Sequence, residues 1–97
     1  MSSTIALPAV LTADVVSAAQ AQLQRSMQAL PKGAAIVLDA SGVQAFDSAG
    51  LALLLACRRS ALAKGQSLCV QAWPPSLYAL AQVYGVLPLL DAAPAVA

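Results

Sequence analysis

The feature that most constrains this chain is a continuous apolar run that ends in a polar loop and leads into an apolar helix. Residues 34–38 read Ala-Ala-Ile-Val-Leu, and residues 51–55 read Leu-Ala-Leu-Leu-Leu. The intervening residues 39–47 are mostly small or polar and end in Asp47, which opens the pentapeptide Asp-Ser-Ala-Gly-Leu. Continuous apolar runs of this length are typical of strands that helices cover on both faces. The pattern predicts such a strand, followed by a helix that begins at Ser48.

The other segments predict an alternation of strands and helices within one domain that spans residues 1–97. The predicted elements are a strand at 4–7, a helix at 13–30 capped by Thr12, a strand at 67–72, a helix at 75–84 and a short apolar segment at 86–90. Alternation at this spacing predicts an α/β fold with a mainly parallel sheet. We expect residues 92–97 to form a disordered tail.

Composition excludes several classes of function. The chain has no histidine and no glutamate, and its four acidic residues are scattered aspartates. Catalytic triads and histidine metal sites are therefore absent, so we expect neither an enzyme nor a bound metal or cofactor. The net charge of +1, without a basic patch or an interleaved series of aromatics, argues against nucleic-acid binding. The longest apolar run, residues 49–57, is too short to cross a bilayer, so we expect a cytoplasmic protein.

The predicted helix start at Ser48 is the best candidate for a functional site. Backbone N–H groups and the helix dipole make such a position electropositive, which suits a phosphate or a partner that recognises the hydroxyl. A simpler role is also open, because Asp47 and Ser48 are good helix-capping residues. The apolar content of 60% predicts surface that a partner covers.

The segments 38–43 (Leu-Asp-Ala-Ser-Gly-Val) and 46–51 (Phe-Asp-Ser-Ala-Gly-Leu) resemble the signature of STAS domains, which are related to bacterial anti-sigma-factor antagonists. The strand at 68–72 and the helix that follows lie where that family has its next elements. The resemblance implies a STAS-like sheet with helices. The family opens with a hairpin of two strands, whereas one strand candidate precedes the first helix here. Whether an N-terminal strand is missing or replaced stays open.

Within the family, the chain is more similar to the STAS subunit of the Mla phospholipid ABC transporter than to the anti-sigma-factor antagonists. That resemblance implies a regulatory or stabilising subunit for the transporter's cytoplasmic ATPase, at the inner face of the inner membrane, in a system that maintains outer-membrane lipid asymmetry. The membrane is then contacted only through the complex. The expected partner-binding residues are the helix start, an apolar face of the helix, two arginines at its margin and a tyrosine of the next helix. They are Asp47, Ser48, Leu51, Leu55, Arg58, Arg59 and Tyr84.

Three alternatives remain open from the sequence. The first is an anti-sigma-factor antagonist that is switched by phosphorylation of Ser48, because a phosphate there would repel a closely packed partner. The second is a lipid-binding protein with an internal cavity. The third concerns assembly: an exposed sheet edge and an uncovered helix face predict a homodimer when the chain is isolated.

Overall fold

In the computed structural model, residues 2–91 are described, and they form one three-stranded sheet, one two-stranded sheet and four helices. The strands are β1 (Ser2–Ala6), β2 (Val10–Leu11), β3 (Ala35–Asp39), β4 (Ala45–Phe46) and β5 (Ser67–Gln71). The helices are α1 (Val16–Gln28), α2 (Ser48–Ala63), α3 (Pro75–Val83) and α4 (Leu87–Leu90). The tail predicted at 92–97 lies outside the described residues.

The larger sheet has the order β1-β3-β5, and both pairs of strands are parallel. Parallel strands need crossover connections, which α1 and α2 provide with the loops on either side of them. The predicted α/β fold with a mainly parallel sheet is confirmed. The short strands β2 and β4, which the sequence analysis did not foresee, pair in parallel beside it.

The helices cover one face of the larger sheet. Ile36, Leu38 and Val70 are fully buried on that face, whereas Val37 is half-buried on the other, where its register partner Thr4 is exposed. The prediction that the strand at 34–38 is buried on both faces is therefore wrong. Small or β-branched side chains tolerate a half-exposed sheet face, so an uninterrupted apolar run does not by itself require two covering layers.

The two cysteines illustrate the same difference between the faces. Cys57 is buried in the core on α2, and Cys69 is half-buried on the open face of the sheet; both are free thiols. Burial raises the pKa of the Cys57 thiol to about 11. Burial, and to a lesser extent the negative charge of Asp91, raises the pKa of Cys69. Both thiols are consequently protonated at neutral pH and poorly nucleophilic.

The start of α1 also differs from the prediction. The helix begins at Val16, and its N-cap Val15 offers no side-chain hydrogen bond. Thr12, which was predicted to cap the helix, instead donates its hydroxyl to the carboxylate of Asp14. Residues 12–15 form a turn closed by the Val15 N–H and the Thr12 carbonyl (3.0 Å). Thr12 therefore belongs to this turn and does not cap α1, because the neighbouring carboxylate of Asp14 competes for its hydroxyl.

Candidate functional site

The loop between β3 and α2 is held at both ends by backbone hydrogen bonds. The Ala40 N–H donates to the Gln71 carbonyl (2.9 Å), and the Gln44 N–H donates to the Ala9 carbonyl (2.7 Å). Inside the loop, the Asp39 carboxylate accepts the Ser41 N–H at 2.9 Å. Hydrogen bonds from the Ser41 backbone and side chain lower the pKa of Asp39. The loop therefore delivers the chain to the start of α2 in a defined position.

Asp47 joins the start of α2 to the turn that precedes α1. One carboxylate oxygen accepts the N–H of Ala49 (2.9 Å), which is the N-cap interaction of α2. The other oxygen accepts the N–H of Ala13 (3.0 Å), which lies 34 residues earlier in the chain. Both oxygens are used inside the protein, so the geometry assigns Asp47 a structural role at the base of the site.

Gly50 lets α2 approach β2 closely. A Cβ atom at this position would lie 2.7 Å from the carbonyl oxygen of Leu11 and 3.0 Å from its Cβ atom. The glycine at this position therefore serves close approach of the two backbones. Because Leu11 is fully buried, the contact seats the first turn of α2 firmly on the core.

Ser48 is the first residue of α2 and its side chain is exposed. The exposed or half-buried residues that follow it at helical spacing are Ala52, Leu55 and Arg59. Steps of four, three and four residues place them in one row along the helix. We call these four residues the α2 stripe. The row combines a hydroxyl at the helix start, a methyl group, an apolar side chain and a cation.

The opposite side of α2 faces the core. Leu53, Leu54 and Cys57 are buried there. Leu51, which was predicted to bind a partner, is only 2% exposed. Its side chain belongs to the core, together with that of Leu54 one helical turn further along. We therefore leave Leu51 out of the surface that a partner can reach.

The other predicted contact residues are divided between two places. Arg59 lies in the α2 stripe, and Arg58 beside it is half-buried at the margin. Tyr84 is 56% exposed but caps the C-terminal end of α3, a different element. Helix α4 packs against both α2 and α3. The structure thus unites Ser48, Leu55 and Arg59 on one helix and places Tyr84 at the end of another.

Sequence reasoning missed two members of the exposed side of α2. Ala52 lies between Ser48 and Leu55 in the row, and Leu62 at the far end is 50% exposed. Counting in steps of three and four from Ser48 finds Ala52 directly. Leu51 is buried in the core and Leu55 packs against it, whereas Leu62 near the end of the helix is exposed.

Comparison with known proteins supports the resemblance. The profile of the family described as Mlab, STAS domain, matches residues 2–91. The search of curated proteins found no match to this chain. Among residues 2–91, no helix combines the length and hydrophobicity that crossing a membrane requires. Within that range, no cluster of three His, Cys, Asp or Glu side chains is placed to hold a metal ion.

Proposed function

Since this chain belongs to the STAS domain family, we propose that it is a regulatory and stabilising subunit without catalytic activity that binds the cytoplasmic ATPase of a phospholipid ABC transporter. The description of the matching family as Mlab supports a transporter of the Mla type. The subunit then acts in outer-membrane lipid asymmetry and lies at the inner face of the inner membrane, which it contacts only through the transporter complex.

The observation that carries this proposal is the exposed α2 stripe. Ser48 and Ala52 are small, so a partner helix or loop can approach the backbone of α2 closely. Leu55 supplies apolar contact area, and Arg59 supplies a cation for the polar rim of the interface. A small apolar centre with a charged margin is the usual anatomy of a protein–protein contact.

The architecture also supports a regulatory mechanism. Asp47 and Gly50 fix the first turn of α2 to the core, so the stripe is presented as a rigid surface. A rigid surface favours the conformation of the ATPase that complements it and shifts the population of the ATPase toward that conformation. The coupling is reciprocal, so nucleotide binding to the ATPase changes its affinity for this subunit by the same factor.

Affinity purification of the tagged chain from its own host, with partners identified by mass spectrometry, tests the proposal. Recovery of an ABC ATPase together with its permease supports it. The Ala52→Glu variant places a charge in the α2 stripe and reduces recovery of the ATPase. The matched control is Ala21→Glu, at an exposed alanine in the middle of α1. If both variants reduce recovery of the ATPase equally, or if neither variant reduces it, docking through the stripe is contradicted.

The exposure of Ser48 also favours one alternative function, an anti-sigma-factor antagonist controlled by phosphorylation. A phosphate on Ser48 lies beside the carboxylate of Asp47 and repels a partner seated on the stripe. In that case Ser48→Asp abolishes partner binding and Ser48→Ala leaves binding permanently active. A transporter subunit instead loses ATPase affinity with both changes. Recovery of a serine kinase or an anti-sigma factor favours the antagonist, and bound lipid in native mass spectrometry favours the lipid-binding alternative.

A further inference from the structure

The charged side chains of this chain are sorted between the two ends of the domain. The aspartates lie near the starts of α1 and α2 or near the carboxyl ends of the strands: Asp14, Asp39, Asp47 and Asp91. The cations lie in the second halves of α1 and α2 or shortly after these helices: Arg25, Lys32, Arg58, Arg59 and Lys64. We call the end of the domain that carries these five cations the basic end.

Helices α1 and α2 lie side by side and run in the same direction, so their second halves form one surface. The carboxylate of Asp47 joins the starts of the two helices. Further along, the Gln24 side-chain amide donates to the Ser60 hydroxyl at 3.2 Å. Arg25 on α1 and Arg59 on α2 are both exposed in this region. The charges on this surface are all positive, so the potential there favours an anionic group.

A hollow of about 270 Å³ lies between α1 and α2 at the basic end. Polar side chains of both helices line it, among them Gln28 of α1 and Ser60 of α2, together with Lys64 directly after α2. No carboxylate lines it. Ammonium, hydroxyl and amide groups all donate hydrogen bonds, so the hollow suits a group that accepts several of them.

Lys64 is held in a fixed position at this hollow. Its Nζ atom donates to the carbonyls of Gln28 (2.5 Å) and Leu30 (2.8 Å). The ammonium group therefore offsets the partial negative charge at the C-terminal end of α1, and its third hydrogen remains for a further acceptor. The buried side-chain amide of Gln66 also donates to the Leu30 carbonyl (3.2 Å), which fastens the wall of the hollow.

The hollow continues the α2 stripe. Ala63 is exposed and lines the hollow, and it lies four residues after Arg59, the last member of the stripe. A step of four residues keeps Ala63 in the same row along the helix. A partner that lies along the whole stripe therefore reaches the hollow as well.

We propose that the ATPase covers the hollow with an acidic segment whose carboxylates lie between Arg59 and Lys64; this inference rests on the proposed function. A carboxylate accepts hydrogen bonds from the ammonium, hydroxyl and amide groups that the hollow presents. The aspartates at the helix starts repel the same segment. The separation of charge along the domain therefore favours one orientation of this subunit on the ATPase.

A charge swap at Ala63 tests the proposal. Ala63→Glu and Ala63→Lys each add a long side chain at the same exposed position, but with opposite charge. Biolayer interferometry measures the Kd of each variant for the ATPase that the affinity purification recovers. At about 0.05 M salt we expect Ala63→Glu to bind about ten-fold more weakly than Ala63→Lys, and the ratio to fall to about two-fold at 0.5 M salt. Urea unfolding of both variants identifies any difference in folding.

Arg59→Gln provides a second variant, because it removes one of the two cations that flank the proposed segment. We expect its Kd at about 0.05 M salt to rise by about two- to five-fold, and the dependence of its Kd on salt to become weaker. A Kd that changes equally at low and high salt shows that Arg59 contributes packing alone, and this result contradicts the acidic segment.

The outcomes separate this inference from the proposed function. If no ABC ATPase is recovered, both fail. If the ATPase is recovered and Ala52→Glu weakens it, but the two Ala63 variants bind equally, the stripe docks the ATPase and the acidic segment is refuted. Tighter binding by Ala63→Glu than by Ala63→Lys assigns a basic segment to the hollow. Equal binding of the ATPase, together with co-sedimentation of the chain with phosphatidylglycerol vesicles but not phosphatidylcholine vesicles, assigns the basic end to a lipid surface instead.

Discussion

Replacement of Asp47 by alanine tests whether this residue holds the candidate site together. The carboxylate caps α2 through the Ala49 N–H and also accepts the Ala13 N–H from the turn before α1. In proteins, loss of a helix cap costs about 1 to 2 kcal/mol. The bond to Ala13 is exposed, so water replaces part of it, and its loss costs about 1 kcal/mol. We expect Asp47→Ala to lower the free energy of unfolding by about 2 to 3 kcal/mol.

Asp47→Asn separates the two contributions. Asparagine caps helices about as well as aspartate, so it keeps the Ala49 interaction and has one oxygen instead of two. We expect this variant to lose the bond to Ala13 and about 1 kcal/mol of stability. Ser48→Ala, at an exposed neighbouring position, is the matched control and should change stability by less than about 0.5 kcal/mol.

Urea unfolding followed by circular dichroism measures these differences, with the slope of the transition compared among the variants. For a domain of this size, a loss of about 2 to 3 kcal/mol lowers the melting temperature by roughly 10 to 20 °C. If Asp47→Ala is as stable as Ser48→Ala, the cap and the link to Ala13 contribute nothing. If Asp47→Asn is as severe as Asp47→Ala, the division between the two bonds is incorrect.

Three further changes probe the packing, the backbone and the buried thiol. Gly50→Ala forces α2 away from Leu11 and lowers the free energy of unfolding by about 1 to 2 kcal/mol, because overpacking outweighs the gain in helix propensity. Urea unfolding measures this loss. Ala72→Gly relieves the strain of a left-handed backbone (φ 60°) and raises the melting temperature. The net gain in the free energy of unfolding is about 0.5 kcal/mol, once the entropy that glycine adds to the unfolded chain is subtracted. Stability falls as the pH rises from 9 to 11, because Cys57 ionises in the unfolded chain near its ordinary pKa of 9.0 and in the folded chain only near a pKa of about 11. The decline attributable to Cys57, at most about 1.4 kcal/mol per pH unit, is absent from Cys57→Ala when both are unfolded in urea across this range.

Each of these predictions has a matched comparison. Gly42→Ala, whose added Cβ has its nearest neighbour 4.0 Å away, should be neutral or slightly stabilising, and equal damage at both glycines refutes the close-approach argument. A lower melting temperature for Ala72→Gly shows that the left-handed residue carries no cost. Parallel pH curves for Cys57→Ala and the unchanged protein would falsify the assignment to the thiol.

The local part of the fold is readable from the sequence because it depends on short-range chemistry. The Asp-Ser-Ala-Gly-Leu segment predicts a helix that begins at Ser48, and in the structure α2 spans Ser48–Ala63, with Gly65 just beyond it in the left-handed region (φ 75°). The caps and the helical period are properties of neighbouring residues. The alternation of strands and helices, and hence the parallel sheet, follows from the same local signals.

Other features depended on contacts between distant segments. The period of α2 shows that it has two apolar sides, but only its neighbours decide that Leu51 is buried, that Leu55 is half-buried against the core and that Leu62 is exposed. The half-exposed face of β3 and the pairing of β2 with β4 likewise depend on where other elements pack.

The sequence by itself determined the main helices and strands, their order, and the placement of Asp47 and Ser48 at the start of a helix. Only the tertiary structure decided that one oxygen of Asp47 reaches Ala13, that the side chains of Ser48 and Ala52 stay exposed, and that β2 pairs with β4. The physical reason is the distance along the chain over which each interaction acts. Capping and periodicity act over three or four residues, whereas burial depends on which distant segment is adjacent in space, and a pattern of local preferences does not specify that segment.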